Sequence, residues 1–255
     1  IGPGGTDYAE SRPYEAGDAI RDIDWKTSAK QGEIYAKKYE LEKDMPVVLL
    51  VDRSASAGFG SRAVDKRDVI EETAGALALA AARKNLRVGA VFFSDKVESY
   101  LAPSLGENYG RMIVDQLAKT GVESAGTNMN PALELALKRL PERAIVIVVS
   151  DFIAPDFRNR LAALGRIHDL RLIRVSDPAD LRGLESIGLV RVRDAESGQT
   201  RLIDASSPAF REAQAAAIAK RERMISESFS AARAAAIQLS TDGQHFETLQ
   251  QEITK

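Results

Sequence analysis

The chain has 255 residues and a net charge of −2, and 44% of its residues are hydrophobic. This hydrophobic content suffices for the core of one large domain, whereas the near-neutral charge argues against nucleic acid or an anionic membrane as the main partner. The lack of cysteine excludes disulfides and thiolate metal sites, and no apolar run approaches the ~18 residues of a membrane span.

The first part of the chain differs in character from the remainder. Residues 1–45 are rich in polar and turn-forming residues, and only Glu33–Leu41 alternates in the manner of a strand. A strongly apolar strand pattern then begins at Val47–Asp52. We therefore predict an N-terminal segment, an α/β domain at 46–180, and a C-terminal hairpin and helical extension at 181–255 packed on it.

Strand and helix patterns alternate through the central part of the chain. The predicted strands after the first are Arg87–Ser94, Val97–Ala102, Ala144–Ser150 and Leu170–Val175. The predicted helices are Lys66–Lys84, Glu107–Lys119, Pro131–Leu140 and Pro155–Ile167. This alternation indicates an α/β fold with an open, doubly wound, mostly parallel sheet, in which ligands bind at the carboxyl ends of the strands.

The C-terminal part has a different pattern. Residues 188–204 predict a hairpin with its turn at Glu196–Gln199, and Pro208–Ala236 predicts a long helix rich in Ala, Arg and Glu. The segment "AIQLSTD", residues 236–242, predicts an edge strand, and His245–Ile253 predicts a final helix.

Oxygen-bearing side chains follow two of the predicted strands. Asp52 and Asp151 each end a strand, Ser54 and Ser56 follow the first acid at alternate positions, and Thr127 lies in the loop "SAGTNMN". Carboxylates and hydroxyls form an oxygen-only ligand set that suits Mg²⁺ or Mn²⁺ and is poor for zinc. The alternative is that Asp52 caps a helix and the serines cap a turn.

The order strand–DxSxS, loop–Thr, strand–Asp resembles a von Willebrand factor A domain with its metal-ion-dependent adhesion site. The residues that match are Asp52, Ser54, Ser56, Thr127 and Asp151. The resemblance implies that the hydroxyls coordinate Mg²⁺, Mn²⁺ or Ca²⁺ and that the aspartates bind the ion directly or through water. It also implies that a partner's carboxylate completes the ligand shell.

A second resemblance lies in "RPYEAGDAIRDIDWKTSAK", residues 12–30. This segment is similar to the R-x-Y-x-x-G-D-x-x-R-x-I-D-W-x-x-S-A-R/K signature of the bacterial family known as domain of unknown function 58, and the likeness covers nearly the whole chain. One departure is Ala57, where the family usually has methionine. The resemblance implies an adaptor or co-chaperone that acts with a MoxR-type AAA+ ATPase.

The signature segment also predicts local structure. We expect a clasp in which Trp25 buries a large apolar area against the sheet and Asp–Arg pairs order the loop; a separate binding site is the alternative. The residues concerned are Arg12, Tyr14, Asp18, Arg21, Asp22, Asp24 and Trp25.

These features favour a non-enzymatic, metal-dependent protein-binding module over an enzyme. One alternative is a Mg²⁺-dependent phosphotransferase of the haloacid dehalogenase type, with Asp52 as nucleophile, Thr127 as phosphate ligand, Lys138 as charge stabiliser and Asp151 as metal ligand. That chemistry requires an acid two residues after the nucleophile, where Ser54 stands. Another alternative is a scaffold with an empty site.

Two further expectations concern the histidines and the cell compartment. His168 and His245 lack the context of a nucleophile elbow, and we expect His168 to cap a helix or lie at the surface. The composition predicts a cytoplasmic protein. Because the chain begins at Ile1, membrane association through a segment outside it is the alternative.

Overall fold

The structure is a computed structural model, and it divides the chain into two compact units, Ile1–Met45 and Pro46–Lys255. The predicted three-part division into 1–45, 46–180 and 181–255 stays a prediction. The residues that the structure describes are 6–14, 23–41, 45–54, 57, 64–119, 126–140, 143–183, 188–193 and 200–242.

The first unit is a two-stranded antiparallel sheet with one short helix between its strands in the sequence. Strand β1 spans Thr6–Pro13, helix α1 spans Trp25–Gln31 and strand β2 spans Tyr35–Leu41. The sequence predicts only β2. Helix α1, all of whose residues are described, buries none of its side chains, and this explains why it has no apolar periodicity to detect.

Hydrogen bonds rather than apolar burial hold α1 in place. The carboxylate of Asp24 caps the helix by accepting from the Thr27 amide at 3.1 Å, and it also accepts from the hydroxyls of Ser11 at 2.6 Å and Thr27 at 2.8 Å. These bonds, the one from Ser11 first, hold the pKa of Asp24 well below its usual range. The hydroxyl of Ser28 donates to the Asp24 carbonyl and accepts from the Tyr35 amide.

Of the predicted clasp, the burial of Trp25 is wrong and the ordering by Asp–Arg pairs stays a prediction. Asp24 and Ser28 order the segment, but Trp25 is 67% exposed, so the expectation that it buries a large apolar area is wrong. The physical reason is that polar bonds at the helix start stabilise α1 without an apolar contact. Asp18, Arg21 and Asp22 and the side chain of Arg12 lie outside the described residues.

The second unit is built around a six-stranded sheet with the order β10-β7-β6-β3-β4-β5. Its strands are β3 Val47–Asp52, β4 Val88–Phe93, β5 Val97–Ser104, β6 Ile145–Ser150, β7 Asp169–Ser176 and β10 Ala235–Ser240. Neighbours pair in parallel except β4 and β5. The predicted fold class, an open and mostly parallel α/β sheet, is confirmed.

Helices cover both faces of this sheet. They are α2 Lys66–Arg83, α3 Glu107–Lys119, α4 Asn130–Arg139, α5 Arg158–Ile167, α6 Pro178–Arg182 and α7 Pro208–Ala232. Because side chains alternate along a strand, Leu49 and Val51 pack into one core and Val48 and Leu50 into the other. A strand buried on both faces is apolar throughout, as the run in β3 predicts.

The C-terminal part contributes a hairpin, the long helix α7 and the edge strand β10. The hairpin pairs β8 Leu189–Arg193 with β9 Thr200–Asp204, and its predicted turn lies outside the described residues, as does the predicted helix His245–Ile253. Helix α7 ends at Ala232, before the predicted end. Within the described ranges, no helix is both long and apolar enough to span a membrane.

Candidate metal site

The carboxyl ends of β3 and β6 bring two predicted site residues together. These strands are parallel neighbours, so Asp52 at the end of one and Asp151 just after the other lie at the same edge of the sheet. Ser150 connects them, because its hydroxyl donates to Asp52 Oδ2 at 2.5 Å. Asp52 is fully buried and Asp151 is 1% exposed.

Burial and charge both act on Asp52. Its Oδ1 accepts a hydrogen bond from the Ser54 amide at 2.9 Å, which closes a turn directly after the strand. Burial, more than any other factor, raises the pKa of Asp52 to about 6, and the negative charge of Asp151 adds to this effect. The hydrogen bonds from Ser150 and Ser54 act in the opposite direction but do not outweigh it. A cation at this edge of the sheet would therefore stabilise the ionised carboxylate of Asp52.

The loop after Asp52 is described in part. Ser54 is fully buried, and its carbonyl accepts from the Ala57 amide at 3.2 Å. Ala57 is itself buried in the core, so the residue that departs from the family pattern serves loop packing. Ser56 lies outside the described residues, and its place in the site stays a prediction.

Thr127 reaches the same edge of the sheet from another loop. The amide of the next residue, Asn128, donates to the carbonyl of Ser94 at 2.8 Å, and Ser94 directly follows β4, the other neighbour of β3. Thr127 is 4% exposed. The described members of the predicted set, Asp52, Ser54, Thr127 and Asp151, are thus all buried at the carboxyl edge of adjacent strands.

A lysine that the sequence patterns do not indicate also lies at this site. The Lys66 ammonium donates to Asp151 Oδ2 at 2.8 Å and lies 3.0 Å from Asp180 Oδ2, and the Lys66 side chain is 1% exposed. Burial alone would lower the pKa of Lys66, but the charges and hydrogen bonds of Asp151 and Asp180 outweigh it and raise that pKa above its ordinary value.

One sequence signal could have drawn attention to Lys66. It is the first residue of α2, directly after Asp65, which caps the helix by accepting from the Asp68 amide. A cation in the first turn opposes the helix dipole, so a lysine there needs another reason for its position. That reason is a partner acid more than 80 residues further along the chain, which local sequence patterns do not reveal.

Lys138, the lysine that the phosphotransferase alternative uses, lies elsewhere. It is near the end of α4, which runs from the Thr127 loop back toward the start of β6, so it is at the opposite edge of the sheet. Its side chain is 75% exposed and lies 3.8 Å from Glu134. The role assigned to Lys138 in that alternative is therefore wrong.

His168 is also away from the site. Its backbone amide caps α5 by donating to Leu164, which confirms the predicted cap, but the residue is only 7% exposed, so the surface alternative is wrong. Burial lowers its pKa, and its Nδ1 has no hydrogen-bond partner among the described residues. It directly precedes β7, at the amino edge of the sheet. His245 lies outside the described residues.

The donor atoms at the carboxyl edge fit a hard divalent cation. Two carboxylates and the hydroxyls of Ser54 and Thr127 offer oxygen only, and oxygen is the ligand that Mg²⁺ and Ca²⁺ prefer. In the part of the chain that the structure describes, no group of three or more His, Cys, Asp and Glu side chains could hold a metal. A metal at this edge would therefore depend on the hydroxyls as well as the acids.

Fold and site together define a mostly parallel α/β domain with a buried cluster of acids and hydroxyls at the carboxyl edge of its sheet. The chain belongs to the family described as "Protein of unknown function DUF58", whose model matches residues 10–224. An uncharacterised protein of Mycobacterium bovis is 28% identical over 244 residues, covering 94% of this chain and 76% of the relative. The resemblance drawn from the signature segment is thus confirmed.

Solved structures share the fold at low sequence identity. The conserved hypothetical protein BatB of Bacteroides thetaiotaomicron is similar with a TM-score of 0.54 and 13% identity, over 82% of this chain and 97% of that one. An aerotolerance-related membrane protein of Bacteroides fragilis has a TM-score of 0.50 and 15% identity, over 82% and 98%. At these identities the likeness concerns the fold alone.

Proposed function

We propose that this chain is a non-enzymatic, metal-dependent protein-binding module. In this proposal a divalent ion, Mg²⁺ with Mn²⁺ or Ca²⁺ as alternatives, is held by oxygen ligands at the carboxyl edge of the sheet, and an Asp or Glu of the partner protein completes the ligand shell. The partner is a MoxR-type AAA+ ATPase, for which the chain acts as an adaptor or co-chaperone. The ligands are Asp52, Ser54, Ser56, Thr127 and Asp151.

The observation that carries this proposal is the pair of adjacent buried acids. Asp52 and Asp151 are buried side by side and linked through Ser150. Lys66 compensates the charge of Asp151, but a buried carboxylate at Asp52 stays costly unless a further cation compensates it. An ion held by few formal charges keeps an excess of positive charge toward solvent and therefore attracts an external carboxylate. The chemistry that a bound ion would supply is thus attraction of a partner's acid.

The same residues argue against phosphoryl transfer. Ser54 stands where that chemistry requires a general acid, and Lys138 is at the far edge of the sheet. The proposal predicts no turnover of a phosphate monoester such as p-nitrophenyl phosphate in the presence of Mg²⁺. Turnover that is lost in Asp52→Asn would contradict it and favour the phosphotransferase.

Affinity capture with and without Mg²⁺ tests the proposal. The immobilised protein should retain an AAA+ ATPase from a cell extract in Mg²⁺ and release it in EDTA. Asp52→Ala and Ser54→Ala should abolish capture while the circular dichroism spectrum stays that of the wild type. Asp169→Ala, which removes an exposed acid at the opposite edge of the sheet, is the matched control and should leave capture unchanged.

The result that would overturn the proposal is capture that does not depend on the site. If Asp52→Ala and Ser54→Ala retain the ATPase as well as the wild type does, the candidate metal site is not the binding site. If capture is equal in Mg²⁺ and EDTA, the interaction does not require a divalent ion.

A further inference from the structure

A positively charged side chain, that of Lys66, lies at the candidate metal site. The Lys66 ammonium lies 2.8 Å from Asp151 Oδ2 and 3.0 Å from Asp180 Oδ2, and its side chain is 1% exposed. Lysine is almost never buried unless it is paired, so this arrangement is specific to the acids around it. It joins the start of α2, the end of β6 and the short helix α6.

Both oxygens of Asp151 are engaged in this arrangement. Oδ2 accepts from Lys66, and Oδ1 accepts from the Ile153 amide at 2.8 Å. A carboxylate oxygen has lone-pair capacity for more than one partner, so these contacts do not prevent Asp151 from helping to bind an ion. Both contacts fix the orientation of the carboxylate, and Lys66 supplies the counter-charge that it needs in a buried position.

We propose that Lys66 is a built-in counter-ion of the candidate metal site: a positioning residue that holds Asp151 in the metal-free protein and keeps the site's affinity for a divalent cation low. This inference rests on the proposed function, because it concerns the same site. The ligand class is a hard divalent cation that prefers oxygen donors.

The physical reason is repulsion between like charges at short range. An ion that contacts Asp151 must either displace the ammonium or bind beside it, and both cost free energy in a buried site where charges are poorly screened. The partner's carboxylate adds negative charge at this point. Ion and partner therefore bind together more strongly than the ion binds alone.

The test removes the cation without changing the net charge of the cluster, although Asp151 loses its paired ammonium. In the double variant Lys66→Met, Asp180→Asn one cation and one acid are lost together, so the variant has the best prospect of folding. Calorimetric titration with Mn²⁺ should give an affinity roughly tenfold higher than that of the wild type, as expected for changes in the outer shell of a metal site. The rise in melting temperature on adding Mn²⁺ should be larger as well.

Two controls separate charge from structure. Asp180→Asn alone keeps the ammonium beside Asp151 and should bind Mn²⁺ no more tightly than the wild type. Lys66→Arg keeps the positive charge beside Asp151. Its affinity for Mn²⁺ should therefore equal that of the wild type and not rise as in the double variant. A gain in Asp180→Asn equal to that of the double variant would assign the effect to α6 and contradict the role of Lys66.

The outcomes distinguish this inference from the proposed function. If the wild type binds Mn²⁺ and the double variant binds no more tightly, the inference is wrong and the metal site stands. If only the double variant binds, Lys66 replaces the ion in the native protein, and the metal-dependent function is wrong while the inference holds. If neither binds, both are wrong.

Discussion

Replacing Asp52 by asparagine should make the metal-free protein more stable while it removes a ligand of the candidate site. The pKa of Asp52 is raised from 3.8 to about 6, so ionising this carboxyl costs the folded state on the order of 3 kcal/mol. Asparagine carries no charge. Its side-chain oxygen can still accept from the Ser54 amide, and its NH₂ group can donate to the Ser150 hydroxyl, which in the wild type donates to Asp52.

The effect should depend on pH with a definite sign. Because the folded-state pKa is raised, protonation of Asp52 contributes stability that is fully present below pH 3.8 and is lost as the pH rises through about 6. The Asn variant does not lose this contribution. Its advantage over the wild type should therefore be only about 0.5 kcal/mol at pH 4 and reach about 3 kcal/mol at pH 7.5.

Urea denaturation in EDTA at the two pH values measures this difference, and repeating it in Mg²⁺ shows whether the ion stabilises only the wild type. Asp169→Asn, which removes an exposed acid, should change stability by less than about 1 kcal/mol at both pH values. The reasoning is refuted if Asp52→Asn is no more stable than the wild type at pH 7.5, or if its gain is the same at pH 4.

Three further predictions concern two glycine positions, one buried ion pair and the pH dependence of Mg²⁺ binding. Gly165→Ala should destabilise the fold by about 1 to 3 kcal/mol, because a methyl group there would overlap a backbone carbonyl oxygen of α7. Gly75→Ala has room for the methyl group and should stabilise the fold by up to about 1 kcal/mol. Equal urea midpoints for the two variants would contradict this. Glu222→Gln breaks the bidentate pair with buried Arg174 and should cost about 2 kcal/mol in a urea titration at pH 7. Since the Arg174 hydrogen bond lowers the pKa of Glu222, that difference should vanish as the pH falls through this lowered pKa, and a constant difference would contradict it. Calorimetric Mg²⁺ affinity should fall as the pH drops through about 6, where protons compete for Asp52, and a flat profile would exclude Asp52 as a ligand.

The central sheet could be predicted because strands that are buried on both faces have continuous apolar runs, which are visible in the sequence. Val47–Asp52 and Ile145–Ser150 are apolar for most of their length and lie between two helical layers. In the first unit, by contrast, α1 buries no described side chain and depends on the bonds of Asp24. Polar bonds between distant residues leave no periodic pattern, so the sequence does not predict α1.

The site could be predicted to the extent that topology determines it. Asp52 and Asp151 meet because parallel neighbouring strands end at one edge of the sheet, and strand pattern alone suggests this. Lys66 and Asp180 complete the cluster from the starts of two helices. An acid in the first turn of a helix is ordinary, and a lysine there is unusual but names no partner, so only the three-dimensional contact reveals that Lys66 and Asp180 are paired.

The domain needs helix α7 and strand β10 in order to keep its core and its sheet complete. The family-matched region ends at residue 224, inside α7, before the buried residues Ile225, Ser228 and Ala232. A protein shortened there would also lose β10, which pairs over its full length with Arg171–Ser176 of β7. The backbone of β7 would then become an open edge that recruits other chains, so such a truncation should aggregate, and recombinant protein has to include Ser240.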